Sequence, residues 1–109
     1  MKKALLILIA VIGFGISVNA QVVFRGGPHK VCSEDGTAEL TLSGSSYIFW
    51  YDGQKIKGQY NVVDGYLNLY EDGVEVFSFK YKFDNGTNTL WWVDVTINNM
   101  TTRLAKGRC

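Results

Sequence analysis

Apolar and polar residues alternate with a period of two over most of the chain beyond residue 37, the mark of half-buried β-strands. Ala38, Leu40 and Leu42 alternate with Glu39 and Thr41. Residues 47–51 are apolar or aromatic throughout, so either both faces of that strand are covered or one carries a binding surface. Ile56, Gly58, Tyr60 and Val62 share one face of the next strand, opposite Lys57, Gln59 and Asn61. Gly58 in mid-strand predicts a bend or a close backbone approach. Leu67 and Leu69 point inward, and Tyr66, Asn68 and Tyr70 outward. Val74 and Val76 then lie on one parity, but Phe77, Phe79, Tyr81 and Phe83 on the other. A strand cannot change parity without an extra residue, so the pattern predicts a β-bulge near Val76-Phe77. Trp91, Val93, Val95 and Ile97 form the next inward set, with Trp92, Asp94 and Thr96 outside; Met100 to Ala105 is a last strand. Val22-Val23-Phe24 reads as a short edge strand, ended by Gly26-Gly27-Pro28.

The connections are as legible as the strands. Asp52-Gly53, Asp64-Gly65 and Asp72-Gly73 separate alternating runs. Asp-Gly suits tight hairpins, whose primed turns need positive φ at both central residues. Ser43-Gly44-Ser45, Asn85-Gly86 and Asn98-Asn99 mark further turns. No stretch has a helical period. The expected fold is all-β: a single small antiparallel up-and-down β-barrel of seven or eight strands, built from residues 21–109. Closure removes the edges that an open sheet would expose.

Residues 1–20 belong to a different class. Met1-Lys2-Lys3 is a positive start, residues 4–16 form an apolar run, and Val18-Asn19-Ala20 ends it with small residues at a cleavage position. The apolar run is short of the ~20 residues that span a bilayer. No Cys follows it directly, so no lipid anchor is expected. The reading is a signal peptide cleaved after Ala20, a periplasmic or secreted product and no stable membrane anchor after cleavage. Loss of Lys2 and Lys3 takes the formal charge from +1 to −1, which gives no reason to expect nucleic acid or an anionic membrane as partner. Cys32 and Cys109 lie near the two ends of the exported part, and the simplest arrangement joins them. Closing so long a loop is worth roughly 4 kcal/mol in the chain-entropy treatment.

The residues offer no catalytic set, and the expectation is a protein that is not an enzyme. His29, the only histidine, sits in a loop and reads as solvated. Asp35, Asp52, Asp64 and Asp72 each precede or approach a turn Gly, which accounts for them. Residues 84–88 offer oxygen ligands but lack the bidentate Glu of a calcium loop, so no metal and no cofactor is expected.

Aromatic residues are 14% of the chain. Phe77, Phe79, Tyr81, Phe83 and Trp91 are expected to fill the interior. Trp50, Tyr66, Tyr70 and Trp92 fall on the outer parity and are the candidate recognition residues, because exposed Trp and Tyr are enriched at interfaces.

The run Ile56-Lys57-Gly58-Gln59-Tyr60-Asn61-Val62, followed by Gly65-Tyr66-Leu67-Asn68-Leu69, resembles the Gly-x-Tyr and Gly-x-Leu hairpin of small exported bacterial lipocalin-like domains. That resemblance implies a calycin-like barrel with an unspecified ligand. In size, export, terminal cysteines and Leu90-Trp91-Trp92 the chain also resembles the periplasmic c-type lysozyme inhibitors. It departs from them at Lys57-Gly58-Gln59-Tyr60, which stands in place of a Ser-Gly-x-x-Tyr loop. Val93-Asp94 stands where the inhibitory Lys is expected. The expected function is that of an exported, non-enzymatic binding module for a small apolar ligand or a protein partner. The alternative is an inhibitor of a cell-wall hydrolase.

Overall fold

The computed structural model describes residues 22–109, and the expected signal peptide lies outside them. The described chain is a closed antiparallel barrel of eight strands in sequence order. They are β1 (His29–Cys32), β2 (Ala38–Ser43), β3 (Ser46–Tyr51), β4 (Gln54–Val63), β5 (Tyr66–Glu71), β6 (Val74–Asp84), β7 (Thr89–Ile97) and β8 (Met100–Ala105). A 3-10 turn, Lys106–Arg108, leads to Cys109. Both residues of each Asp-Gly pair have positive φ, from 52° to 55° at the Asp and from 81° to 83° at the Gly, as tight hairpins require. Asn98 and Asn99 make the last hairpin in the same left-handed region, which Asn tolerates better than most residues.

The expected bulge is present. Leu69 pairs with Phe77 but Tyr70 pairs with Glu75, which leaves Val76 as the extra residue of β6. The parity change turns Phe77, Phe79, Tyr81 and Phe83 inward, with Phe79 fully buried and the other three half-buried. A second bulge was not anticipated. Lys82 pairs with Trp92 and Phe83 with Leu90, so Trp91 is unpaired in β7. Leu90 and Val93 are both buried, whereas Trp91 is 43% exposed. Trp91 is therefore not a core residue. The signal was Leu90, an apolar residue on the parity that otherwise reads as solvent-facing.

The interior is filled by side chains. Tyr47, Tyr60, Phe49 and Phe79 are the largest fully buried residues, packed with leucines and valines from around the barrel. Phe49 meets Phe77 and Phe79 edge-on across the lumen, with centroids 5.6 and 6.0 Å apart. Such edge-to-face pairs add about 0.5–1.5 kcal/mol beyond area burial. Residues 47–51 resolve into one buried and one exposed face: Tyr47 and Phe49 point in, Ile48 and Trp50 out. Asn68, outward by parity, is nonetheless buried. It donates to Asn61 Oδ1 at 3.1 Å and accepts from Ser78 Oγ at 2.8 Å, a polar rung across β4, β5 and β6.

The N-terminal arm is not an edge strand. It corks the lower end of the barrel. Val62 N–H donates to Val22 O at 2.8 Å, and Phe24 N–H donates to the Tyr60 hydroxyl at 3.1 Å. The Phe24 ring stacks on Phe83 at 4.4 Å and meets Tyr81 edge-on at 5.0 Å. His29 is buried beneath this cork rather than solvated, its Nε2 2.7 Å from Arg25 O and its ring edge-on to Phe83.

Burial pushes the phenols of Tyr47, Tyr60 and Tyr81 above the ordinary value of 10; Glu71 adds to the effect at Tyr47, and the Phe24 N–H opposes it at Tyr60. The unfolded chain then loses these protons at lower pH than the folded chain. The stability these three groups contribute is fully present below pH 10 and falls as pH rises from there through the raised folded values. Denaturant midpoints measured across that range check this, and a flat profile would contradict it.

Candidate functional site

The outer surface is where the remaining chemistry lies, and the register sorts the candidate residues into places. Trp50, on β3, pairs with Glu39 and Lys55. It is 42% exposed, with Lys55 Nζ 5.5 Å from its ring centroid. Tyr66, at the start of β5, is also 42% exposed and pairs with Val63 and Lys80. Tyr70, expected outside, is half-buried between Gln59 and Glu75. Trp92 is half-buried on β7, between Lys82 on β6 and Ala105 on β8.

These four residues do not form one patch. Along β4, the partners of Trp50 and Tyr66 are Lys55 and Val63, which are roughly 26 Å apart at the rise of a strand. Tyr66 and Trp92 do share a face. They lie two strands and two residues apart, roughly 12 Å, with Lys80 and Lys82 between them. Trp91 joins them because the bulge turns it outward, and Lys106 Nζ sits 5.7 Å from its ring. The register thus produces an outer band from Tyr66 over Lys80 and Lys82 to Trp92, Trp91 and Lys106. Parity reasoning missed Trp91, since only a register shift places it there.

One feature of the band is held from two sides. Arg103 Nε and Nη2 donate to the two carboxylate oxygens of Asp94 at 2.7 and 3.0 Å. The guanidinium carbon lies 3.8 Å from the Trp92 ring centroid. The Asp94 hydrogen bonds raise the Arg103 pKa above its ordinary value. A planar fork held by a carboxylate and stacked on an indole fixes both side chains. Beside it, Tyr66, Ser78, Lys80, Asp94, Thr96 and Thr101 line a shallow depression of about 260 Å³.

Elsewhere, the turn carboxylates Asp35 and Asp84 serve the fold. Asp35 accepts from Thr37 N, Thr37 Oγ1 and Ser33 Oγ, which lowers its pKa and knits the β1–β2 loop; the Thr37 backbone bond is the largest cause. Asp84 accepts from Gly86 N–H within its own turn. Among the described residues no group of three His, Cys, Asp or Glu side chains is placed to hold a metal ion. Lys57-Gly58-Gln59-Tyr60 lies within β4, not in a loop, and Tyr60 is fully buried. Cys32 and Cys109 form the expected disulfide, with Cα atoms 5.1 Å apart. Such a bond is compatible with an oxidising extracellular compartment.

No family model, curated protein or solved structure matches this chain.

Proposed function

We propose that this is a periplasmic or secreted, non-enzymatic binding module that docks a protein partner on the outer band of β5–β8. The observation that carries the reading is the Trp91 bulge. It sets two adjacent indoles outside a barrel whose lumen is already occupied by Tyr47, Phe49, Tyr60 and Phe79. Interfaces draw most of their energy from a few aromatic and Arg anchors. Here Trp91, Trp92 and the braced Arg103 adjoin, with Tyr66 on the same face roughly 12 Å from Trp92. A small apolar ligand has less to recommend it, because a calyx needs an empty lumen.

The test uses the oxidised protein as bait for native secreted and periplasmic proteins, beside a Trp91→Ser/Trp92→Ser variant of unchanged circular dichroism. One specific partner is expected, with binding weakened about thirtyfold or more in the variant, since each truncated anchor costs ~2 kcal/mol when it matters. Equal capture by both proteins would remove the band from the interface. An apolar molecule extracted from the natively purified barrel, with no captured protein, would favour a ligand carrier. A captured cell-wall hydrolase that loses activity on binding would narrow the reading to an inhibitor.

A further inference from the structure

We infer that the partner presents an acidic segment to this band, with its carboxylates on Lys80, Lys82 and Lys106 and its apolar side chains on Trp91. The inference rests on the reading above and adds the chemistry of the partner. The chain without residues 1–20 is formally −1, so a basic strip on its surface reflects segregation of charge, not its average. Lys80 and Lys82 are exposed on the outer face of β6, two residues and roughly 6.6 Å apart. The ion pairs among the described residues are Lys30–Glu39 and Arg103–Asp94, so neither lysine has an acidic partner.

Asp94 is the acid that pairs opposite Lys80 in the register, and Arg103 already holds both of its oxygens. The nearest remaining acids, Asp64 and Asp84, lie at the lower rim, in a hairpin turn and at the end of β6. The other basic neighbours reinforce the sign. Lys106 lies over Trp91, and Arg108 donates to Arg103 O at 2.9 Å. Ammonium groups without acidic partners, beside exposed aromatic rings, complement a segment that mixes carboxylates with apolar side chains. The strip is only about four strands wide and has acids at its rim, which suits a short peptide better than a long polyphosphate.

Fluorescence anisotropy of labelled peptides on the oxidised full chain tests this. The probes are a short peptide of alternating glutamate and leucine, its lysine-for-glutamate counterpart, and polygalacturonate as a competitor. The glutamate peptide is expected to bind at low salt and to weaken as salt rises. Lys80→Glu/Lys82→Glu, with unchanged circular dichroism, should weaken it by about tenfold or more, and the lysine peptide should not bind. Equal binding of both peptides, no binding of the glutamate peptide, or indifference to the charge reversal would overturn the inference. Displacement of the glutamate peptide by polygalacturonate at far lower concentration would overturn it in favour of an anionic glycan. If Trp-dependent capture of a native partner persists while the glutamate peptide is silent, the acidic assignment fails and the docking surface stands.

Discussion

Replacing Gly58 with alanine is expected to destabilise the barrel by on the order of 3 kcal/mol or more, beyond the usual cost of overpacking. Gly58 faces inward in the middle of β4, where it pairs with Tyr47. A Cβ there would collide with the backbone carbonyl of Tyr70 and lie 3.2 Å from Tyr47 Cε1. The Tyr47 ring is buried and cannot swing out; the Tyr70 carbonyl is main chain at the point where β5 meets the Val76 bulge. Nothing flexible is available to give way. For a domain of this size the melting temperature should fall by roughly 12 °C or more. Gly53→Ala is a useful contrast. Its φ is +81° and nothing lies within 4 Å of an added Cβ, so it meets conformational strain without a clash. It should cost on the order of 1 kcal/mol. Equal losses at the two sites would show that the Gly58 contact relaxes.

Removing the disulfide, as Cys32→Ser/Cys109→Ser or by reduction, is expected to lower the melting temperature by about 15–30 °C, from a loss of roughly 4 kcal/mol. The bond spans 77 residues, so its entropic leverage on the unfolded chain is large. The native barrel adds a second reason. Each other pair of neighbouring strands shares at least four registered residues, but β1 and β8 close the barrel through one pair, Cys32 and Ala105. Cys109 is tied to that same Cys32, so the covalent bond lies at the weakest seam. Amide exchange of the oxidised and reduced forms should differ most in β1 and β8. Uniform acceleration across all eight strands would place the whole effect in the unfolded chain.

Much of this architecture was legible because its determinants are local. A hairpin turn is specified by the two residues that must adopt positive φ, and Asp52-Gly53, Asp64-Gly65 and Asp72-Gly73 state that requirement openly. The Val76 bulge shows as a change of apolar parity within one strand, and the Cys pairing follows from there being two cysteines in a chain whose first 20 residues read as an export signal. The candidate surface was half legible. Trp50, Tyr66 and Trp92 were assigned to the outside from their own strands, correctly as to face, but a single strand carries no information on which of them are neighbours. Tyr70 also lies on the outer parity, paired with Gln59 and Glu75, and is half-buried there as Trp92 is.

Alternation and turn residues in this sequence determine an all-β meander over β2 to β8 with one strongly apolar face, because each signal operates within a few residues; β1 (His29–Cys32) lies in a stretch that reads as arm and loop, and it is a strand only because it pairs with β2. Tertiary structure alone decided the rest. Trp91 turns outward only because β6 and β7 must keep Lys82 against Trp92 and Phe83 against Leu90 at once, a constraint imposed by pairing rather than by either strand. The arm becomes a cork because Phe24 finds Tyr60, Tyr81 and Phe83 at the lower end of the closed barrel. His29 is buried for the same reason, and Asn68 because Asn61 and Ser78 flank it. In each case the deciding contact joins residues from different strands, and its geometry exists only once the register and the closure of the barrel are set.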